Sequence, residues 1–127
     1  MNVLFVCTEN IARSPMAAEL FRERLGHDAR HQARTAGIAA HVPQRITTRN
    51  LAWADIVAVM EELHREAIQA LWPDHAYKIV VLGVRNHYDP GDPALRQLLA
   101  PKIRVLVEEL DTPVSSALAP QRLSPRI

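Results

Sequence analysis

The sequence has little cysteine, little net charge and no long apolar run, and each absence argues against a class of protein. Its single cysteine allows no disulfide within the chain, which suits a reducing compartment. A net charge of +1 gives no case for nucleic-acid binding, which usually needs a basic stripe. No apolar stretch approaches the roughly 20 residues that span a bilayer. The apolar segment 2–6 is too short for a secretory signal and has no basic residues before it. We therefore expect a soluble, cytoplasmic protein that binds neither nucleic acid nor membrane.

Length and composition predict one compact domain followed by a short tail. The 127 residues are enough for one hydrophobic core and too few for two, and 48% apolar with 23% charged residues is ordinary for a globular protein. We predict a folded domain over residues 1–110. The segment 111–127 contains Pro113, Pro120 and Pro125 with serines and no hydrophobic periodicity, so we expect a loosely ordered tail.

Short apolar strands alternate with amphipathic helices along the predicted domain. We predict four strands, at residues 2–6, within 30–38, at 56–60 and at 78–82. We predict four helices, at residues 13–25, 44–51, 61–71 and from 93 to about 110. The third helix should bury Leu63, Ala67 and Leu71. Asp92 should cap the last helix, and Pro101 should kink or interrupt it. Strands separated by helices favour a parallel sheet with crossover connections, so the predicted fold is a single α/β domain with a four-stranded parallel sheet flanked by helices.

The segment that follows the first strand holds the strongest functional signal, because Cys7 and Arg13 lie six positions apart on a strand-to-helix turn. Backbone N–H groups of such a turn, together with the N-terminus of the next helix, can cradle a tetrahedral oxyanion. The guanidinium of Arg13 can hold two oxygens of that anion. The same field favours the thiolate of Cys7, which is then a nucleophile beneath a bound phosphoryl group. The sequence therefore predicts an anion-binding loop directly after the first strand.

The pattern Cys7-x5-Arg13-Ser14, directly after a strand near the start of the chain, resembles the low-molecular-weight protein tyrosine phosphatase family. That family also includes single-domain arsenate reductases. Asn10 within the loop and the segment 35–37 (Thr-Ala-Gly, against the family's Ser-Ala-Gly) extend the resemblance. It implies a cysteine-dependent phosphatase that hydrolyses phosphotyrosine or similar aryl phosphate monoesters through a phosphocysteine intermediate. An anion loop built from a cysteine and an arginine also needs no magnesium, unlike nucleotide sites that end in Lys-Ser/Thr.

The resemblance implies a role for each loop residue. Cys7 attacks phosphorus, and Arg13 holds equatorial oxygens and stabilises the charge of the transition state. Ser14 donates a hydrogen bond to the thiolate, and Asn10 suits a left-handed backbone conformation that shapes the loop. The substrate-binding residues are then Thr8, Glu9, Asn10, Ile11, Ala12, Arg13 and Ser14.

Two loop positions depart from the family pattern, which usually has Gly at position 9 and often Cys at position 12. Glu9 places a carboxylate beside the anion site, and it opposes phosphate binding if it points inward. Ala12 removes the second loop cysteine that can trap the nucleophile as a reversible disulfide. Glu9, together with Asn86 further along, leaves open a weakly active or inactive oxyanion-binding or regulatory relative. A single cysteine leaves open an arsenate reductase that uses an external thiol.

The general acid is the least defined part of the predicted site. The resemblance implies an Asp-Pro pair in the loop after the fourth strand, and Asp89 with Pro90 matches it. Counted back from the last helix, the position falls instead on Asn86, which cannot act as an acid. We rank Asp89 first, His87 second and no acid third, since Asp92 is better explained as a helix cap.

The remaining histidines and the two tryptophans give no sign of a further site. The tryptophans, Trp53 and Trp72, are expected to cover the core. The histidines show no metal-ligand spacing and are predicted to lie at the surface: His27, His31, His41, His64 and His75. We expect no metal or cofactor, a phosphorylated protein or small aryl phosphate as substrate, phosphate-like oxyanions as ligands, and a monomer or weak dimer.

Overall fold

The computed structural model describes residues 1–111, which form the predicted α/β fold around a parallel sheet. Its strands are β1 (Asn2–Cys7), β2 (Gln32–Gly37), β3 (Ile56–Val59) and β4 (Ile79–Val81). Its helices are α1 (Arg13–Leu25), α2 (Thr48–Trp53), α3 (Glu62–Leu71) and α4 (Pro93–Leu110), with a 3₁₀ turn over Pro73–Lys78. The strands lie in the order β2-β1-β3-β4, and every neighbouring pair is parallel. The predicted fold class is confirmed. The predicted tail lies, from residue 112 onward, outside the described residues.

The central strand β1, which leads into the predicted anion loop, is buried on both faces, as a continuous apolar run predicts. Its side chains from Val3 to Val6 are fully buried. One face packs on α1 and α4, where the rings of Phe5 and Phe21 meet edge to face with centroids 5.6 Å apart. The other face packs on residues of α2 and α3. Cys7 is the last residue of β1 and lies opposite Gly37 of β2, so both are at the carboxyl edge of the sheet.

The second helix begins later than predicted. Arg45 forms a parallel bridge with Gly37 rather than a helical turn. The helix begins only after Thr47, whose hydroxyl accepts a hydrogen bond from the Asn50 N–H at 3.1 Å. This capping arrangement, which is typical of helix N-termini, places the helix at Thr48–Trp53 instead of 44–51.

The predicted inner face of α3 is wrong. His64 and Ile68 are fully buried, whereas Leu63 and Leu71 are 53% and 66% exposed. An i, i+4 count of apolar residues misses this face because one of its two inward residues is a polar ring. The ring can be buried because each of its two nitrogens has a hydrogen-bond partner.

The last helix matches its prediction at the start and differs at its middle. The Asp92 carboxylate accepts a hydrogen bond from the Ala94 N–H at 2.9 Å and caps α4 as predicted. Helix α4 continues without a break through Pro101. Pro101 and Gln97 both lie on the exposed side, so water can solvate the Gln97 carbonyl that the proline leaves without its helical donor.

Two histidines are buried, contrary to the prediction that all five lie at the surface. His31 is 9% exposed, and its Nε2 lies 2.9 Å from a carboxylate oxygen of Asp111. His64 is fully buried beneath the anion loop. Trp53 and Trp72 pack partly buried against the core on the α2 and α3 face, as predicted.

Candidate active site

The loop between β1 and α1 is shaped by one residue with unusual backbone geometry. Asn10 has a φ of 58°, and no other non-glycine residue among residues 1–111 has a positive φ. Asparagine tolerates this left-handed conformation better than most residues. Its side chain is held on both sides: Oδ1 accepts a hydrogen bond from Ser14 at 2.7 Å, and Nδ2 donates to Gln44 Oε1 at 2.5 Å. The expected conformation of Asn10 is confirmed.

The sulfur of Cys7 lies at the base of this loop. Cys7 is 3% exposed, and its Sγ lies 3.1 Å from Ser14 Oγ. The backbone N–H of Asn10 donates to the same sulfur at 3.2 Å. Ala12, the N-cap of α1, offers no side-chain acceptor to the first turn of the helix. The sulfur thus has a backbone donor beside it and the positive end of α1 next to it, and both favour a negative charge there.

Above the sulfur is an open cleft of about 100 Å³. Its walls come from the anion loop and from the loop that follows β4. The lining residues are Cys7, Glu9, Ile11, Ala12, Arg13, Asn86 and Tyr88.

Arg13 is oriented by acceptors from three parts of the chain although it is only 2% exposed. Its Nη1 donates to the Val84 carbonyl at 2.7 Å and lies 3.4 Å from Glu61 Oε2. Its Nη2 lies 3.4 Å from the Thr8 hydroxyl. A buried cation needs such partners, because an unpaired charge is costly to remove from water. The fork is therefore held in place before any anion binds.

His64 supports the loop from beneath. Its Nδ1 accepts the Glu61 backbone N–H at 3.0 Å, and its Nε2 lies 2.9 Å from the Thr8 hydroxyl. Burial and then the positive charge of Arg13 lower the pKa of His64 to about 4. The neutral ring, with Nδ1 as acceptor, carries its proton on Nε2 and donates it to Thr8. The hydroxyl of Thr8 then accepts from the histidine and keeps its own proton for another acceptor.

Sequence reasoning missed His64, Glu61 and Val84. A polar side chain at His64, three residues after Glu61 at a helix start, is the spacing of a capping box. This spacing is the one feature of the sequence that could have indicated a buried, hydrogen-bonded His64. Val84 participates through its carbonyl, for which a side-chain pattern gives no signal.

Glu9 lies at the rim of the cleft. Its Oε2 is 3.2 Å from His41 Nε2, and both side chains are exposed. The carboxylate therefore has a partner on the outer side of the loop. It remains close enough to line the mouth of the cleft.

The loop after β4 places Asn86 and Tyr88, rather than Asp89, against the cleft. The ring of Tyr88 stacks on that of His87 with centroids 4.3 Å apart. Asp89 is exposed and does not line the cleft. The loop contains two aspartates, and Asp92 caps α4. Asp89 has no such capping role, so it stays the first candidate for the general acid.

Comparison with known proteins agrees with this geometry. The family model described as low molecular weight phosphotyrosine protein phosphatase matches residues 2–51, which run from β1 through the anion loop into α2. The protein named "Probable low molecular weight protein-tyrosine-phosphatase EpsP" of Ralstonia nicotianae is 30% identical over 118 residues, covering 77% of this chain and 81% of that protein. The chain belongs to the low molecular weight phosphotyrosine protein phosphatase family. As a member of that family it is a phosphoric monoester hydrolase.

Solved structures show the same family fold. The YwlE arginine phosphatase from Geobacillus stearothermophilus has a TM-score of 0.71 at 27% identity, covering 87% of this chain and 93% of that one. The tyrosine phosphatase Wzb from Escherichia coli K30, in complex with phosphate, has a TM-score of 0.72 at 25% identity, covering 86% of this chain and 97% of that one.

Within residues 1–111 of the phosphatase, no helix has the length and apolar character to cross a membrane. Over the same residues, no group of three or more His, Cys, Asp or Glu is placed to hold a metal ion.

Proposed function

We propose that this phosphatase hydrolyses aryl phosphate monoesters, phosphotyrosine first among them, through a phosphocysteine at Cys7. The observation that carries the proposal is the position of Cys7 Sγ at the base of the cleft, 3.2 Å from the Asn10 N–H and beside the buried Arg13. A phosphoryl group seated on the loop would have the sulfur behind phosphorus and the guanidinium beside its oxygens. This is the arrangement that in-line displacement needs.

The reaction would proceed in two displacements. The Cys7 thiolate attacks phosphorus, the bond to the aryl oxygen breaks, and the departing oxygen takes a proton from Asp89. Water then attacks the phosphocysteine, loses a proton to the Asp89 carboxylate, and releases inorganic phosphate with the thiolate restored. Arg13 stabilises the charge of both transition states. Because Asp89 is exposed and does not line the cleft, this step requires its carboxyl group to move toward the leaving oxygen.

Ser14 would assist when the thiol ionises. The hydroxyl has one proton and two neighbours, Cys7 Sγ at 3.1 Å and Asn10 Oδ1 at 2.7 Å. With a neutral thiol, Cys7 can donate to Ser14 while Ser14 donates to Asn10. With a thiolate, the Ser14 proton rotates toward sulfur, because a charged acceptor makes the stronger hydrogen bond.

The walls of the cleft favour an aromatic leaving group. Ile11 is an apolar side chain that is 57% exposed at the rim of the cleft. Tyr88 lines the cleft from the opposite loop. An aryl ring between them would bury apolar surface on both faces. This is the reason to place phosphotyrosine ahead of aliphatic phosphates.

A second candidate substrate is phosphoarginine, which one observation favours. Glu9 brings a carboxylate to the mouth of the cleft, where the guanidinium of a phosphoarginine could pair with it. A similar solved protein is named an arginine phosphatase. The apolar Ile11 is the wall that an aryl ring uses and a guanidinium does not, so we place phosphotyrosine first.

The test is a comparison of matched peptides that carry phosphotyrosine or phosphoarginine in the same sequence, beside p-nitrophenyl phosphate. We expect the phosphotyrosine peptide to have the higher kcat/KM and Cys7→Ser to abolish turnover while the protein still binds phosphate. Acid quenching during turnover should trap one phosphoryl group on Cys7, detected by mass spectrometry of the peptide that contains it. Faster hydrolysis of phosphoarginine would replace the substrate assignment, and normal turnover by Cys7→Ser would overturn the mechanism.

The same assays address the other two functions that the sequence left open. Phosphate binding without turnover of any ester would favour the weakly active or inactive relative. Arsenite release that depends on an added thiol such as glutathione would favour the arsenate reductase. A monomeric or weakly dimeric state and a cytoplasmic location remain predictions.

A further inference from the structure

Three arginines lie on or beside β2, the edge strand of the sheet, outside the catalytic cleft. They line an open groove of about 400 Å³ along β2, between α1 and the segment that precedes α2. The lining residues are Arg22, Ala33, Arg34, Thr35, Gln44, Arg45 and Asn50. The set contains three cations, three uncharged hydrogen-bonding side chains and no carboxylate.

These arginines differ from the paired arginines elsewhere in the chain. Within residues 1–111, none of Arg22, Arg34 and Arg45 forms an ion pair, whereas Arg30 and Arg96 each bind a carboxylate. Two of the three groove arginines are nevertheless held in position. Arg22 donates to the Ala33 carbonyl at 2.9 Å. The guanidinium carbon of Arg34 lies 4.2 Å above the ring of Trp53. The groove therefore presents positive charge that the described part of the fold positions but does not neutralise.

The groove is continuous with the anion loop. Gln44 lines the groove, and its Oε1 accepts the hydrogen bond from Asn10 at 2.5 Å. Gly37 lies opposite Cys7 in the sheet, and Arg34 is three residues before Gly37 on the same strand. At about 3.3 Å per residue, Arg34 is roughly 10 Å along the strand from the level of Cys7. A chain that places one residue in the cleft can therefore reach the groove within a few residues.

We propose that this arginine groove binds acidic side chains that flank the phosphorylated residue of a protein substrate. The proposal rests on the proposed function, since it assigns a docking surface to the substrate of the same site. An extended peptide advances about 3.3 Å per residue, so carboxylates about three to five positions from the phosphorylated residue would meet the guanidinium groups. Arginine forks suit carboxylates because two parallel N–H donors match the two oxygens. Thr35, Gln44 and Asn50 can supply further hydrogen bonds to the peptide.

An acidic peptide fits this groove better than a nucleic acid does. The whole chain has a formal net charge of only +1, whereas nucleic-acid surfaces carry a basic patch or stripe with a strongly basic domain. The three arginines come from α1, from β2 and from the segment before α2, rather than from one continuous helix face or strand. Separate carboxylates of a peptide can reach them one by one.

The kinetic experiment compares two phosphotyrosine peptides that differ only in charge. One peptide carries glutamates three to five positions from the phosphotyrosine, in versions with the acids before or after it, and the other carries glutamines there. The groove variant is Arg34→Gln with Arg45→Gln. The matched control is Arg24→Gln with Arg104→Gln, which removes the same charge from exposed positions on α1 and α4.

The wild type should prefer an acidic peptide by about 3- to 10-fold in kcat/KM, mainly through KM, since several exposed charge pairs add modest amounts each. The groove variant should lose that preference and hydrolyse p-nitrophenyl phosphate at the wild-type rate. The control should keep most of the preference, and 0.5 M salt should reduce the preference of the wild type and of the control. A wild type without preference, a groove variant that retains it, or a control that loses as much would each overturn the proposal.

A binding arm keeps this result separate from the fate of the proposed function. Fluorescence anisotropy with an unphosphorylated acidic peptide measures the groove without turnover, so it decides the proposal even if no phosphotyrosine ester is hydrolysed. Binding should weaken in the groove variant and persist in the control. If a labelled DNA duplex binds in an Arg34- and Arg45-dependent way while the acidic peptide does not bind, the groove is a nucleic-acid site and the proposal is wrong.

Discussion

Thr8 Oγ1 and His64 Nε2 lie 2.9 Å apart, and this contact joins the anion loop to the start of α3. The two residues are 56 positions apart in the chain. Because the ring also accepts the Glu61 N–H, a single neutral side chain connects the N-terminus of α3 to the loop that holds Cys7. The positions of the loop and of α3 are therefore coupled.

The first prediction concerns this coupling. His64→Asn keeps an acceptor near the Glu61 N–H but removes the donor to Thr8, whereas His64→Gln is long enough to reach Thr8. We expect His64→Asn to lower kcat for p-nitrophenyl phosphate more than His64→Gln does, because the loop loses its support. Loss of unfolding free energy should be similar in both, measured by urea denaturation. Equal kcat values in the two variants would show that His64 only fills space.

The second prediction is a pH dependence of stability. His64 has a pKa of about 4 in the folded chain, below the roughly 6.5 of an unfolded histidine. Between these values the unfolded chain binds a proton that the folded chain does not, so stability falls as pH drops below about 6.5. The loss is complete below about pH 4, and its slope is at most about 1.4 kcal/mol per pH unit. His64→Asn should show a shallower slope from pH 6.5 to 5 than the wild type. The matched change at the exposed His27 should leave the slope unaltered.

The third prediction is that Arg13→Lys is not conservative. An ammonium cannot donate to the Val84 carbonyl and Glu61 while also presenting a two-pronged face to an anion. We expect kcat to fall by about 10²-fold or more if transition-state charge is the main target of Arg13. Phosphate inhibition should weaken as well. Arg24→Lys, at an exposed position of the same helix, should have little effect on either. Near-normal kinetics in Arg13→Lys would remove Arg13 from the catalytic site.

The fourth prediction locates the general acid. Asp89→Asn should slow esters with poor leaving groups, such as phosphotyrosine, by about 10²- to 10⁴-fold. It should spare dinitrophenyl phosphate, whose leaving group needs little protonation. Asp92→Asn should do little, because asparagine also caps a helix well. Glu9→Gln tests the carboxylate that lines the cleft. If Glu9→Gln shows the leaving-group dependence and Asp89→Asn does not, Glu9 is the acid.

The fifth prediction concerns Gly37, which lies against the back of the anion loop. A Cβ at this position would lie 2.8 Å from Val42 Cγ2, 3.0 Å from the Thr8 carbonyl oxygen and 3.3 Å from the Glu9 carbonyl carbon. Gly37→Ala should therefore destabilise the protein by about 1–3 kcal/mol and reduce kcat by displacing the loop.

Adding Val42→Ala separates the two contacts of that Cβ. The double variant relieves the contact with the valine side chain and leaves those with the loop backbone. If it remains impaired in turnover, the loop contact is responsible. Full recovery of kcat would show that Val42 alone was in the way.

The sequence by itself determined the elements that depend on local pattern. The apolar runs predicted the buried strands β1, β3 and β4, Asp92 marked the start of α4, and the six-residue spacing of Cys7 and Arg13 predicted the anion loop. The left-handed conformation of Asn10 also followed from residue type. Each of these features depends on neighbours within a few positions, so a linear pattern contains the information.

Only the tertiary structure decided what surrounds the loop. The parallel sheet brings the carboxyl ends of β1, β3 and β4 to one edge, so residues far apart in sequence meet there. That is why Glu61 and the Val84 carbonyl contact Arg13. Helix α3 buries His64 rather than Leu63 because Thr8 and the Glu61 N–H both hydrogen-bond to the ring. A pattern of apolar residues could not predict this, because it takes no account of polar side chains. The unpaired arginines along β2 arise in the same way, since whether an arginine finds a carboxylate depends on how the elements pack.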